Sequence, residues 1–223
     1  MISIILFTIM LILLSLILQS KLLGVLSIIT AFLAILFYLF WKLYFLRDPE
    51  RKTTKDGIIC PADGKVVEIT KFDFKKKDHL WIKKGIFGKV KSPEVSKGIL
   101  ISIFMNPLSV HVNRSPIDGE IISTKHHRGK FLPAYEVEDS ILENEKNIIH
   151  IKNSKIQVFV IQIAGFLARR IVGFVKKGQK IKKGQRIGLI NLGSQVSVIL
   201  PDNLKINVKR GDKVFAGQTI IAK

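Results

Sequence analysis

Two apolar runs open the chain. Residues 2–19 carry no charge and are mostly Ile, Leu, Phe and Met, and Leu22 to Trp41 repeat the pattern after the polar break Gln19-Ser20-Lys21. Each is about 18–20 residues long, close to the ~20 a helix needs to cross ~30 Å of hydrocarbon. The pattern predicts a hydrophobic membrane anchor over residues 1–46, as two helices or as one long tilted or monotopic helix. No basic segment precedes the first run and no small-residue cleavage site follows it, so a removable leader is not expected. Lys42, Arg47, Arg51 and Lys52 flank the far end, and the positive-inside rule puts that side in the cytoplasm.

From residue 57 the period changes to that of strands. Val66–Ile69, Ile99–Phe104, Ile156–Ile163 and Val196–Leu200 are β-branched or alternating, with Gly, Pro and Asp between them. Helix is expected only in the anchor and around Ala164–Val172. Two segments recur. Pro61-Ala62-Asp63-Gly64-Lys65-Val66 is echoed by Pro116-Ile117-Asp118-Gly119-Glu120-Ile121. Phe174–Ile181 with Gly184-Gln185 is echoed by Asn207–Val214 with Gly217-Gln218. Asp-Gly and Gly-Asp steps supply the positive φ of tight hairpins. The fold expected for residues 47–223 is therefore one mainly β domain with duplicated hairpins, resembling the barrel-sandwich hybrids of biotinyl and lipoyl domains.

Composition narrows the partners. The 223 residues carry a net charge of +19, nearly all of it beyond the anchor, since Lys21 and Lys42 are the only charged residues before Arg47. Such a balance suits a polyanion, and the anchor favours an anionic membrane over nucleic acid. Residues 71–91 hold eight lysines against two aspartates, interleaved with Phe72, Phe74, Trp81, Ile82, Ile86 and Phe87. That mixture predicts a surface pressed on lipid headgroups. Cys60 is the only cysteine, which excludes an intrachain disulfide and a multi-cysteine zinc site. His126 and His127 are adjacent and point opposite ways on a strand, so no metal site is expected.

Three blocks carry the candidate chemistry: Pro61-Ala62-Asp63-Gly64, Phe104–Arg114 with its Pro107-Leu108-Ser109-Val110-His111-Val112-Asn113-Arg114, and Leu192-Gly193-Ser194-Gln195 before a strand. In this order they resemble the phosphatidylserine decarboxylase proenzymes, short and membrane-anchored type. The resemblance implies self-cleavage between Gly193 and Ser194, giving a β chain of residues 1–193 and an α chain of residues 194–223 that stay together as a heterodimer. It implies that Ser194 becomes a covalent pyruvoyl cofactor, which would condense with the serine headgroup amine of phosphatidylserine and release phosphatidylethanolamine and CO₂. Glycine before the serine tolerates the strained backbone such an attack requires.

The resemblance also assigns roles. His111 would be the acid/base at the pyruvoyl group, suited by an imidazole that exchanges protons near neutral pH. Asp63 would serve self-processing by orienting or activating the base for Ser194, while Asp118 in the echoed turn would be structural. His127, Lys130 and Phe131, in a further family-like block, are candidate substrate contacts. Two departures stand out. Arg114 occupies the place of a second histidine, so His111 does both jobs or His126 or His127 helps. Gln195-Val196-Ser197 follows Gly193-Ser194 where related short members tend to have Arg-Val-Asp. Archaetidylserine remains open as substrate. The alternative class is a non-catalytic, membrane-tethered biotinyl/lipoyl-like adaptor, but a carrier needs a lysine at the hairpin tip that Gly193-Ser194-Gln195 occupies.

Overall fold

The computed structural model describes residues 6–7, 9–10, 12–14, 21–54, 56–88, 95–166, 170–191 and 194–223. They belong to two units, residues 1–47 and 48–223. In the first, helix α1 (Lys21–Leu39) runs on as a π-helical stretch, Phe40–Phe45. The 25 residues from Lys21 to Phe45 are long and apolar enough to cross a membrane. Ser27 and Thr30 donate their hydroxyls to Leu23 O at 2.8 Å and Leu26 O at 2.7 Å, so neither would enter lipid unsatisfied. Most of the first apolar run lies outside the described residues.

The second unit is built of strands β1 (Ile58–Ile59), β2 (Gly64–Asp73), β3 (Lys97–Met105), β4 (Val112–Arg114), β5 (Gly119–His127), β6 (Lys146–Lys152), β7 (Gln157–Ile163), β8 (Ile171–Gly173), β9 (Lys180–Ile181), β10 (Arg186–Ile190), β11 (Ser194–Leu200), β12 (Lys213–Val214) and β13 (Ile220–Ala222). Eight form one antiparallel sheet in the order β12-β2-β3-β11-β7-β6-β5-β9. Strands β4-β10-β8 form a second, and β1 pairs with β13. The expected mainly β architecture is what the chain adopts.

The sequence echoes mark an internal symmetry. In one half Val66 and Gly211–Asp212 exchange backbone bonds; in the other Ile121 and Gly178–Gln179 do the same. Gly178, Gly184, Gly211 and Gly217 all hold φ between +77° and +99°, a region open to glycine at little cost. Pro61–Gly64 and Pro116–Gly119 are therefore equivalent turns, and the sheet order reads the same from either edge: β12-β2-β3 matches β9-β5-β6.

Alternation along the central strands divides their side chains between two cores. Ile101, Ile103, Met105, Ile149, Ile151, Val158, Val160, Val196 and Val198 pack with Ile187 and Ile190 of β10 in the first. Leu100, Ile148, Phe159, Ile161 and Ile199 face the other way into the second. That core is closed by helical turn α2 (Leu80–Ile82, running on to Phe87) and helix α3 (Val137–Glu143).

Two sequence expectations change here. Helix forms in α2 and α3, whereas of the stretch expected as helix around Ala164–Val172 the end is strand, Ile171–Gly173, and residues 167–169 lie outside the described residues; elements of three to seven residues are too short for a helical period to show. The aromatic residues of segment 71–91 are not a membrane-facing comb. Phe72, Ile82 and Ile86 are buried, and Phe74, Trp81 and Phe87 pack against the second core, because this connection crosses the sheet and covers it. Lys75, Lys76, Lys77 and Lys84 remain exposed; Lys89 and Lys91 lie outside the described residues.

Candidate active site

At one end of the first core the row of Ile and Val gives way to polar groups. Ser194 opens β11 opposite Met105, the last residue of β3. Both are completely buried. The strand period turns Ser194 toward the first core, and its Oγ donates to Met105 Sδ at 3.7 Å, a weak bond because a thioether is a poor acceptor. Gln195 and Ser197 occupy the opposite face, where Gln195 Nε2 donates to Ser197 Oγ at 2.8 Å and Ser197 meets Ser102 at 2.7 Å. Polar as they are, these two residues are sealed on the face away from Ser194. Gly193 lies outside the described residues.

His111 precedes β4 and is fully buried. Its Nδ1 bonds Ser109 O at 2.8 Å. A carbonyl only accepts, so the neutral ring carries its proton on Nδ1 and keeps Nε2 as its basic nitrogen. The His111 carbonyl accepts from Ile190 N at 3.3 Å, which ties this histidine to the end of β10, four residues before Ser194. Val110, His111, Val112 and Asn113 are all buried. Asn113 Nδ2 donates to the same Met105 sulfur, at 3.7 Å. The blocks containing His111 and Ser194, far apart in sequence, thus meet around Met105.

Asp63 is held differently. Arg51 grips both carboxylate oxygens, Nη1 to Oδ1 at 2.5 Å and Nη2 to Oδ2 at 2.8 Å, and Ala216 N donates to Oδ1 at 2.8 Å. Arg51 belongs to a strap, residues 48–53, that threads between the turns. Arg114 Nη2 reaches Asp48 Oδ1 at 2.6 Å and Pro49 O at 3.1 Å, and its Nη1 reaches Gly184 O at 3.1 Å. Arg186 binds the other oxygen of Asp48, and Glu50 at 2.6 Å. Arg114 is therefore a buried clamp between the strap and the strand that follows His111.

The remaining candidates scatter. His127 ends β5, exposed, with partial burial first and then the charges of Lys146, Lys125 and His126 holding its imidazole below the usual value. His126 faces Glu145 at 3.4 Å, Lys130 faces Glu143 at 3.2 Å, and Phe131 packs against the first core. Cys60 is buried, donates to Ala62 O, and burial pushes its thiol up to about 12, which leaves it unreactive. Sequence reasoning assigned no role to Asn113, Asn147 and Gln162, whose side chains are hydrogen-bonded to one another, and marked Asn144 only as part of the family-like block Glu143-Asn144-Glu145. The buried Asn144 amide bonds Leu132 N and O and Ala164 O at 2.8 to 2.9 Å. Asparagine and glutamine inside otherwise apolar strands were the available signal.

The sequence profile of the family described as phosphatidylserine decarboxylase matches residues 39–222. A protein of Methanocaldococcus jannaschii, provisionally named archaetidylserine decarboxylase proenzyme, is 45% identical over 193 residues, which cover 85% of this chain and 93% of the relative. The phosphatidylserine decarboxylase proenzyme of Chlorobaculum tepidum is 40% identical over 85% of this chain and 81% of its own length. That of Carboxydothermus hydrogenoformans is 38% identical over 90% and 91%.

Proposed function

The chain belongs to the phosphatidylserine decarboxylase family, and on that premise we propose that it cleaves itself between Gly193 and Ser194 and then removes CO₂ from the serine headgroup of a membrane phospholipid. The observation that carries this reading is Ser194 itself: fully buried at the start of a strand, with its hydroxyl on a thioether. Among the described residues that hydroxyl has no stronger partner, and a serine so sealed into a core costs stability. The same isolation leaves its oxygen uncommitted and keeps water from competing for it.

The residues present suit a pyruvoyl group derived from Ser194. The position is buried, paired with Met105 of β3 at the start of a strand that β7 flanks from Gln195 onward, and adjoined by a block that holds a buried histidine. When formed, that group supplies an electrophilic carbonyl for the headgroup amine and an electron sink for loss of CO₂. The protein's part is to exclude water from the departing carboxylate and to move protons. His111 is fixed by Ser109 O with Nε2 as the nitrogen that delivers a proton to the carbon left behind. Asp63 supports maturation by holding Arg51 and the 216–217 turn in register with β4. His127, Lys130 and Phe131 remain proposed headgroup contacts. The apolar α1 and the exposed lysines favour a tether at an anionic bilayer with the β unit on the cytoplasmic face. With decarboxylase proenzymes as its relatives, the adaptor alternative is set aside.

Intact-mass spectrometry tests this directly. The purified protein should be two chains, 1–193 and 194–223, the second blocked by pyruvoyl and reactive toward carbonyl reagents. Ser194→Ala should stay one chain and release no CO₂ from vesicles of phosphatidylserine or archaetidylserine. A free serine amine at residue 194 would mean ordinary proteolysis and end the cofactor reading.

A further inference from the structure

Three amide side chains run in a row from β6 to β4 through the end of the first core. Asn147 Nδ2 donates to Gln162 Oε1 at 2.9 Å, and Gln162 Nε2 donates to Asn113 Oδ1 at 2.8 Å. Asn113 Nδ2 then ends the row on Met105 Sδ, the sulfur that also takes the Ser194 hydroxyl. Asn113 and Gln162 are completely buried and Asn147 is 7% exposed. The overlying strand makes room for the row. Gly188 faces Asn113 across the β4–β10 pair, and a Cβ there would stand 2.5 Å from Gln162 Nε2.

Burying three amides among Ile and Val is unfavourable unless each is satisfied. Here the first two joints are good hydrogen bonds, and the third is not. The row has a direction: Gln162 Oε1 and Asn113 Oδ1 each accept from the amide before them, so the donors run toward Met105 Sδ, the atom that the Ser194 hydroxyl also meets. Among the described residues its last donor meets a thioether alone, and the nucleophilic hydroxyl meets the same one.

We propose that Asn113 is a further residue of the maturation chemistry: its Nδ2–H stabilises negative charge on Ser194 Oγ, with Gln162 and Asn147 as positioning residues. The inference rests on the self-cleavage reading above. In that reaction Oγ bonds to the carbonyl carbon of residue 193, the 193–194 C–N bond breaks, and the Oγ proton passes to the freed amine. Loss of the Ser194 Cα proton then breaks the Cβ–Oγ bond, leaving a carboxylate on residue 193 and dehydroalanine at 194. Water adds and ammonia leaves to give the pyruvoyl group. Oγ gains charge twice, on attack and on departure as a carboxylate oxygen. An aimed N–H donor in a dry site serves both steps.

Two near-isosteric variants isolate the donor. Asn113→Asp keeps Oδ1 for Gln162 and loses the N–H toward residue 194. Gln162→Glu keeps the acceptor for Asn147 and loses the N–H that orients Asn113. Freshly synthesised full-length chains are followed by gel and intact mass at about pH 9 and about pH 6. At the higher pH, Asn113→Asp should mature roughly a hundredfold more slowly than wild type, and Gln162→Glu roughly tenfold. Both should recover as pH falls, because a protonated carboxyl regains an O–H donor where the amide had N–H. A merely structural role moves the melting point of the same variant on the Ser194→Ala background in step with maturation as pH falls, whereas a lost donor slows maturation beyond what the melting point follows. If Asn113→Asp fails to fold, judged by melting on the Ser194→Ala background, Gln162→Glu decides alone. Maturation at the wild-type rate at both pH values, or slow maturation with no recovery in acid, overturns the inference. A wild-type chain that stays whole instead refutes the self-cleavage reading.

Discussion

The turns at Asp63 and Asp118 occupy equivalent places in the two halves of the sheet, and they share the same backbone device. Asp63 Oδ1 accepts from Ala216 N at 2.8 Å; Asp118 Oδ1 accepts from Lys183 N at 2.9 Å. There the likeness ends. Asp118 is exposed, whereas Asp63 is buried under the strap with Arg51 on both of its oxygens. The repeat explains why an aspartate stands in each turn, and the strap explains why one of them matters to the site. Duplication supplies a scaffold; what is laid across one copy makes it specific.

Breaking the comparison at its centre should give the largest effect. Asp63→Asn strands Arg51, whose side chain is 7% exposed, and removing one partner of a buried pair costs about 3–5 kcal/mol. Asp118→Asn keeps an acceptor for Lys183 N and should cost less than about 1 kcal/mol. Denaturant midpoints on the Ser194→Ala background measure both. Asp63→Asn should also accumulate precursor in the otherwise wild-type chain, while Asp118→Asn matures normally. Equal losses at the two turns would reduce the strap to a bystander.

A second contrast lies between the lysines that open two matching strands, although the registers set Lys146 in the place of Gly98 rather than of Lys97. Lys97 and Lys146 open β3 and β6. Lys97 is exposed beside Asp202 at 3.2 Å. Lys146 is buried, with Nζ donating to Ile141 O and, at 3.2 Å, to Gly85 O and Leu142 O, and burial lowers it to about 8. Between about 8 and the ordinary 10.5, the unfolded chain holds a proton that the folded chain has released. Stability therefore rises with pH across that window and levels above it. Measured against Lys146→Met, wild type should gain on the order of 1–3 kcal/mol from pH 8 to 10.5.

The smallest expected effect lies in the glycines. All four echo positions have φ near +80° to +100°, so alanine costs about 1 kcal/mol at each. At Gly178 and Gly211 the added methyl meets nothing within 4 Å; at Gly184 it runs into Thr53 of the strap. Gly184→Ala should lose about 1 kcal/mol more than Gly178→Ala in thermal unfolding, and this excess should vanish when Thr53 is also made Gly.

The sequence by itself determined the class of fold, the repeat and the chemistry-bearing blocks. Apolar period, Gly-Asp turns and short motifs are local properties, and local order survives whatever the chain does elsewhere. It also placed Ser194, His111 and Asp63 in one candidate site on resemblance. Only the tertiary structure decided what each of them touches. Arg51 reaches Asp63 across 12 residues, Arg114 reaches Asp48 across 66, and Asn113 meets Gln162 across 49. A period carries no record of such partners, because sheet order and not sequence distance brings them together. The aromatic residues of segment 71–91 make the same point in reverse. Their spacing suited a membrane surface as well as a core, and they pack inward because the bare face of the eight-stranded sheet lay there to be covered.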